Sequence, residues 1–112
     1  MKSVNPLTSL SPLDGRYCDK VASLRPLLSE FGFMRHRVEV EVEWFIGLSD
    51  LGLAQFPPFS SEARTKLKQW VAVFSVDDAS RIKEIEATTN IDVKAVEYWL
   101  KEKAAAETML PE

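Results

Sequence analysis

The sequence predicts an all-α fold, a compact domain of about five helices behind an irregular N-terminal arm. Three observations carry that expectation. Apolar residues recur at helical spacing through most of the chain after residue 29. Serine and aspartate stand where helix caps are needed, and an Asp-Gly turn and a Pro-Pro pair mark the breaks.

Residues 1–17 carry Pro6, Pro12 and Asp14-Gly15 and read as the arm. A short helix follows from about Asp19 to Arg25, and Pro26 either breaks it or starts the next turn. From Ser29 to Leu51 two patterns compete. Val38 to Trp44 alternate apolar and acidic residues, the period of a strand. Phe31, Met34, Val38, Phe45 and Leu48 instead share one helical stripe with Val42 beside it, and Arg35–Glu39 and Arg37–Glu41 make i,i+4 pairs. The helical pattern is the longer, so a helix is expected, ending near Gly52. Gln55 to Ser60 contains Pro57-Pro58 and is a connection.

Three more helices follow. Ser60 or Ser61 caps the first, with Ala63, Leu67, Trp70 and Phe74 on one face. Ser75 caps the next, with Asp78 at the third helical position and Ala79, Ile82 and Ile85 inward. Asp92 is expected to cap the last, which carries Val93, Val96, Trp99 and Leu100. The three tryptophans, Trp44 included, fall on apolar stripes and read as core. Residues 1–112 are read as a single domain.

The composition narrows the function. A net charge of −3 argues against a general nucleic-acid binder. Cys18 and His36 are the only residues of their types, so neither an intrachain disulfide nor a Cys- or His-based metal site is expected. No apolar run suits a signal peptide or a membrane span, and the expected setting is cytoplasmic. His36, between Arg35 and Arg37, reads as a surface residue.

Two places are rich in binding chemistry. In Ser11-Pro12-Leu13-Asp14-Gly15-Arg16-Tyr17, glycine accepts positive φ and lets the backbone approach a ligand, Arg16 offers a planar fork for phosphate or carboxylate, and Tyr17 adds a hydroxyl. An ordinary surface turn explains the same residues. In Glu86-Ala87-Thr88-Thr89-Asn90-Ile91-Asp92-Val93-Lys94, the polar side chains of Thr88, Thr89, Asn90 and Asp92 crowd a helix N-terminus whose free N–H groups favour an anionic or strongly polar ligand. Plain capping is the alternative there.

These two runs resemble signatures of the bacterial adenylosuccinate lyases, members of the fumarase/aspartase superfamily. Ser11–Tyr17 is similar to the N-terminal signature, and Thr88–Lys103 to a second one at the expected distance. Ser29–Gly32 and Arg37–Glu41 between them are similar too, so the likeness covers essentially the whole chain. The resemblance implies the N-terminal domain of a mostly helical, homotetrameric enzyme with three subunits contributing to each active site. That enzyme eliminates fumarate from adenylosuccinate to give AMP, and from a succinyl-carboxamide ribotide earlier in purine synthesis. It uses no metal or organic cofactor: a serine removes a proton and a histidine protonates the leaving nitrogen.

Carried over by position, Arg16 and Tyr17 resemble residues that hold the substrate's nucleotide end, chiefly its phosphate. Asn90 and Asp92 resemble polar residues lining the substrate pocket. Between them the family usually has histidine where this chain has Ile91, which leaves that position a substrate contact at most. The segments bearing the acid histidine and the base serine have no match before Glu112, so no catalytic residue is assigned and these residues alone are expected to be inactive. A free-standing helical interaction module, or another superfamily lyase acting on a related succinyl compound, are the competing readings.

Overall fold

A computed structural model describes residues 5–107. Its regular elements are helical: α1 (Arg25–Leu28), α2 (Glu30–Asp50), α3 (Ser61–Ala72), α4 (Val76–Thr89) and α5 (Asp92–Ala105). Among the described residues there is no strand. The chain divides into two compact units, one ending at Gly32 and the other beginning at Phe33.

The first unit holds the arm, whose first four residues lie outside the described ones. It is a succession of turns with short 3₁₀ segments at Pro12–Asp14 and Ala22–Leu24. The helix expected from Asp19 is delayed: residues 19–21 are turns, and Pro26 opens α1 in its first turn, where its missing N–H costs nothing. Ser29 then separates two helices. Its N–H donates to the Arg25 carbonyl that closes α1, and its hydroxyl accepts from Gly32 N–H at the start of α2.

The second unit contains the hydrophobic core. In α2, Met34, Val38, Val42 and Ile46 are buried at successive i+4 positions, so the helical pattern prevails over the alternation. In a strand, Val38, Val40, Val42 and Trp44 would share a face. Here Val40 is exposed and Trp44 is 62% exposed, which removes Trp44 from the expected core. Gly52, with φ of 70°, follows the end of α2 in a conformation that favours glycine.

Ser60 caps α3 by accepting from Ala63 N–H, and Ala63, Leu67, Trp70 and Val71 face inward. The helix stops at Ala72, yet Phe74 stays buried beyond its end. Ser75 and Asp78 form a full capping box on α4. α4 and α5 pack together as a hairpin, with Ile82 facing the core from one and Ala95, Val96, Trp99 and Leu100 from the other. Arg81 near the start of α4 pairs with Glu102 near the end of α5, as an antiparallel arrangement requires. No helix among the described residues is long and apolar enough to cross a membrane.

Candidate functional site

The first candidate cluster lies in the first unit. Gly15 N–H and Tyr17 N–H both donate to the Pro12 carbonyl, at 3.1 and 2.9 Å, which winds residues 12–17 into a tight coil. Gly15 has φ of −114°, so positive φ is not why glycine stands there. A Cβ at that position would lie 2.9 Å from the Pro6 carbonyl oxygen, so the backbone that glycine admits belongs to the chain itself. Arg16 is exposed and stacks on its neighbour, with Cζ 4.7 Å from the Tyr17 ring centroid. Among the described residues no carboxylate pairs with Arg16, so its fork of donors remains available.

The second cluster is the corner between α4 and α5. Asn90 ends α4 in the left-handed region at φ 58°, a conformation asparagine tolerates, and its N–H donates to the Glu86 carbonyl at 2.7 Å. Ile91 is extended and 58% exposed. Its N–H donates to the Thr89 hydroxyl oxygen at 3.3 Å, and that hydroxyl lies 3.2 Å from the Ile91 carbonyl.

The expected cap at Asp92 is not formed. Ile91 occupies the N-cap position and Asp92 is the first residue of α5. Asn90 takes the left-handed residue that closes α4, which leaves only Ile91 to bridge into the next helix. Asp92 then stands one position too far along to cap. Its Oδ1 accepts from Val93 N–H at 2.8 Å, and its Oδ2 lies 2.8 Å from Arg37 Nη1. The Arg37 bond, with the Val93 N–H adding to it, holds the Asp92 carboxyl below the usual aspartate value. One N–H of the helix N-terminus, that of Val93, is therefore already taken by a carboxylate of the chain itself.

Arg37 is the residue that the sequence reading missed. Pairing it with Glu41 was reasonable from i,i+4 spacing, but nothing in sequence marks a partner as distant as Asp92. Its Cζ also sits 4.0 Å over the Phe33 ring centroid. Beside this group runs an open groove of about 250 Å³ between α2 and α5, lined mainly by apolar groups of Phe33, Val40, Val93 and Val96. His36, also on the groove, is exposed as expected. Among the described residues, no three His, Cys, Asp or Glu side chains are grouped to hold a metal.

No family model matches the chain. Curated relatives do. It is 56% identical over 108 residues to the adenylosuccinate lyase of Haemophilus influenzae, covering 96% of this chain and 24% of that protein. It is 52% identical over 103 residues to the enzyme of that name from Escherichia coli K12, covering 91% and 23%. The Dictyostelium discoideum adenylosuccinate lyase is 42% identical over 113 residues, covering 97% and 24%. The chain thus spans less than a quarter of the length of these relatives, and corresponds to their N-terminal portion.

Proposed function

We propose, from the homology of this chain to the N-terminal portion of the adenylosuccinate lyase family, that it forms the N-terminal, substrate-binding part of such an enzyme. The observation that carries this reading is 56% identity extending over 96% of the chain. The reaction is elimination of fumarate from adenylosuccinate to give AMP, and the matching cleavage of the succinyl-carboxamide ribotide. A proton leaves the carbon beside a carboxylate, the carbon–nitrogen bond breaks, and the nitrogen gains a proton. No cofactor is needed for that acid–base chemistry.

In this reading both units belong to the N-terminal portion of a cytoplasmic homotetramer. Arg16 and Tyr17 hold the nucleotide phosphate, and Asn90, Ile91 and Asp92 line the pocket. Arg16 is suited to the task by its exposure and its stacking on Tyr17. Exposed apolar side chains support burial against further chain: Leu7 and Leu10 are 93% and 99% exposed, and Leu28 is 77% exposed. The 112 residues by themselves should not turn substrate over.

The test is an assay of the full-length protein bearing this sequence, following the loss of adenylosuccinate by ultraviolet absorbance. Release of AMP and fumarate in equal amounts is the expected result. A folded, tetrameric full-length protein without that activity would overturn the reading, as would turnover by the 112 residues alone for the assignment of chemistry elsewhere.

A further inference from the structure

The α4–α5 corner is short and weakly tied. Asn90 and Ile91 are its only residues outside a helix, and no side chain caps α5. Among the described residues, Thr89, Asn90 and Ile91 hydrogen-bond within the same hairpin. Among the described residues, Arg37 is the one group outside that hairpin bonded to residues 89–92.

Arg37 is well placed to hold the corner. It precedes Val38, which is wholly buried, so its backbone is rooted in the core through α2. Phe33, one helical turn earlier, carries the guanidinium on its ring face at 4.0 Å. The plane so fixed presents Nη1 to Asp92 Oδ2 at 2.8 Å. The Asp92 side chain is 51% exposed, and pairs so open to water add little to stability. What the pair supplies is a fixed position for the first residue of α5, and therefore for the two residues before it.

We propose that Arg37 is a positioning residue: stacked on Phe33 and bonded to Asp92, it sets where Asn90 and Ile91 stand against the substrate. The inference rests on the reading of that corner as part of the pocket. Lysine would keep the charge but lose the flat stack and the fork, so it should substitute only in part.

The test uses the full-length lyase with Arg37→Met, Arg37→Lys, Asp92→Asn, the double variant Arg37→Met/Asp92→Asn, and Asn90→Ala. Steady-state kinetics and thermal melting are measured on each. Arg37→Met and Asp92→Asn should each lower kcat/KM about tenfold, since small misplacements of positioning groups have large kinetic effects. The double variant should be no worse than either single one, because both remove the same link. Arg37→Lys should recover part of the loss, and melting temperatures should stay within a few degrees of the parent. Multiplying losses in the double variant, or a kinetic loss that tracks a fall in melting temperature, would overturn the positioning role. Asn90→Ala separates the two levels. If it impairs the enzyme while Arg37→Met does not, only the role of Arg37 falls. If Asn90→Ala, Asp92→Asn and Arg37→Met are all harmless, the corner does not face substrate and both readings fall.

Discussion

Phe74 and Trp99 meet edge to face, ring centroids 5.4 Å apart and planes at 86°. Phe74 lies in the three-residue link between α3 and α4, whereas Trp99 is on α5, so one contact ties the link to the last helix. Such pairs contribute about 0.5–1.5 kcal/mol beyond the area they bury. Trp99 is 2% exposed, and truncating it leaves a large void. Trp99→Ala should therefore destabilise the chain by about 3–5 kcal/mol in urea unfolding followed by circular dichroism. A loss below about 1 kcal/mol would mean that this ring is not a main support of the core.

That contact also shows what sequence conveys. Trp99 falls on a helical stripe and was legible as core, and Phe74 was legible as buried but not as lying outside its helix. Ser75 with Asp78 could be read in full because capping is local. Trp44 could not, because its stripe on α2 is apolar whether or not anything covers it. At the corner, Asn90 and Asp92 were recognisable as a junction. Which of them closes one helix and which opens the next depends on one backbone angle at Asn90. The Arg37 link to Asp92 is a tertiary fact with no periodicity to announce it.

The capping box offers a local test. The Ser75 hydroxyl accepts from Asp78 N–H at 3.2 Å while the Asp78 carboxylate accepts from Ser75 N–H at 2.9 Å. Ser75→Ala removes one of these bonds from an exposed helix start. It should lower stability by about 0.5–2 kcal/mol without altering the core. Urea unfolding of the variant checks the size, and no change would show that water caps α4 equally well.

Acid should weaken the fold slightly through three exposed ion pairs. Asp50 is held low by Arg64, Asp92 by Arg37 and Glu102 by Arg81. Each carboxyl ionises more readily in the folded chain than in the unfolded one. Their contribution is therefore complete above the ordinary values of 3.8 for Asp and 4.5 for Glu, and is lost as pH falls through the lower folded values. The urea midpoint should be flat near neutrality and fall in that acidic window. High salt should shrink the effect, because exposed pairs are screened. An Asp92→Asn chain should show a shallower fall than the parent. Equal slopes in the two would show that the Arg37–Asp92 pair is not coupled to folding.

Arg16 tests the proposed phosphate role in the full-length protein. If its fork grips a phosphate in ground state and transition state alike, losing bidentate contact should raise KM more than it lowers kcat. Arg16→Lys should show that split, with a KM increase of about tenfold for adenylosuccinate if about 1.4 kcal/mol of binding is lost. Unchanged kinetics in Arg16→Ala would remove the role.

Ile91 stands where the resemblance to the adenylosuccinate lyases leads one to expect a histidine. The side chain is 58% exposed, on an extended residue between two helices, and is not buried in the core. In the proposed pocket, an isoleucine at that position would give a polar substrate group no hydrogen-bond partner. An unmet buried bond costs about 1–3 kcal/mol, equivalent to about tenfold to a hundredfold in rate if it forms in the transition state. Histidine can supply that bond and carries a proton near neutral pH. On the proposed reading, Ile91→His in the full-length protein should therefore raise kcat/KM for adenylosuccinate by at least about tenfold. A second substitution separates this from a plain structural gain. Ile91 is the N-cap of α5 and offers no side-chain acceptor, so Ile91→Ser should stabilise the helix by about 0.5–2 kcal/mol. Serine should raise the unfolding midpoint while leaving kcat/KM short of the histidine gain. If histidine and serine raise kcat/KM equally, the gain comes from a steadier corner and not from contact with substrate. If histidine gives no gain at all, Ile91 points away from the reacting groups, and the assignment of residues 90–92 to the pocket fails while that of Arg16 and Tyr17 stands on its own kinetics.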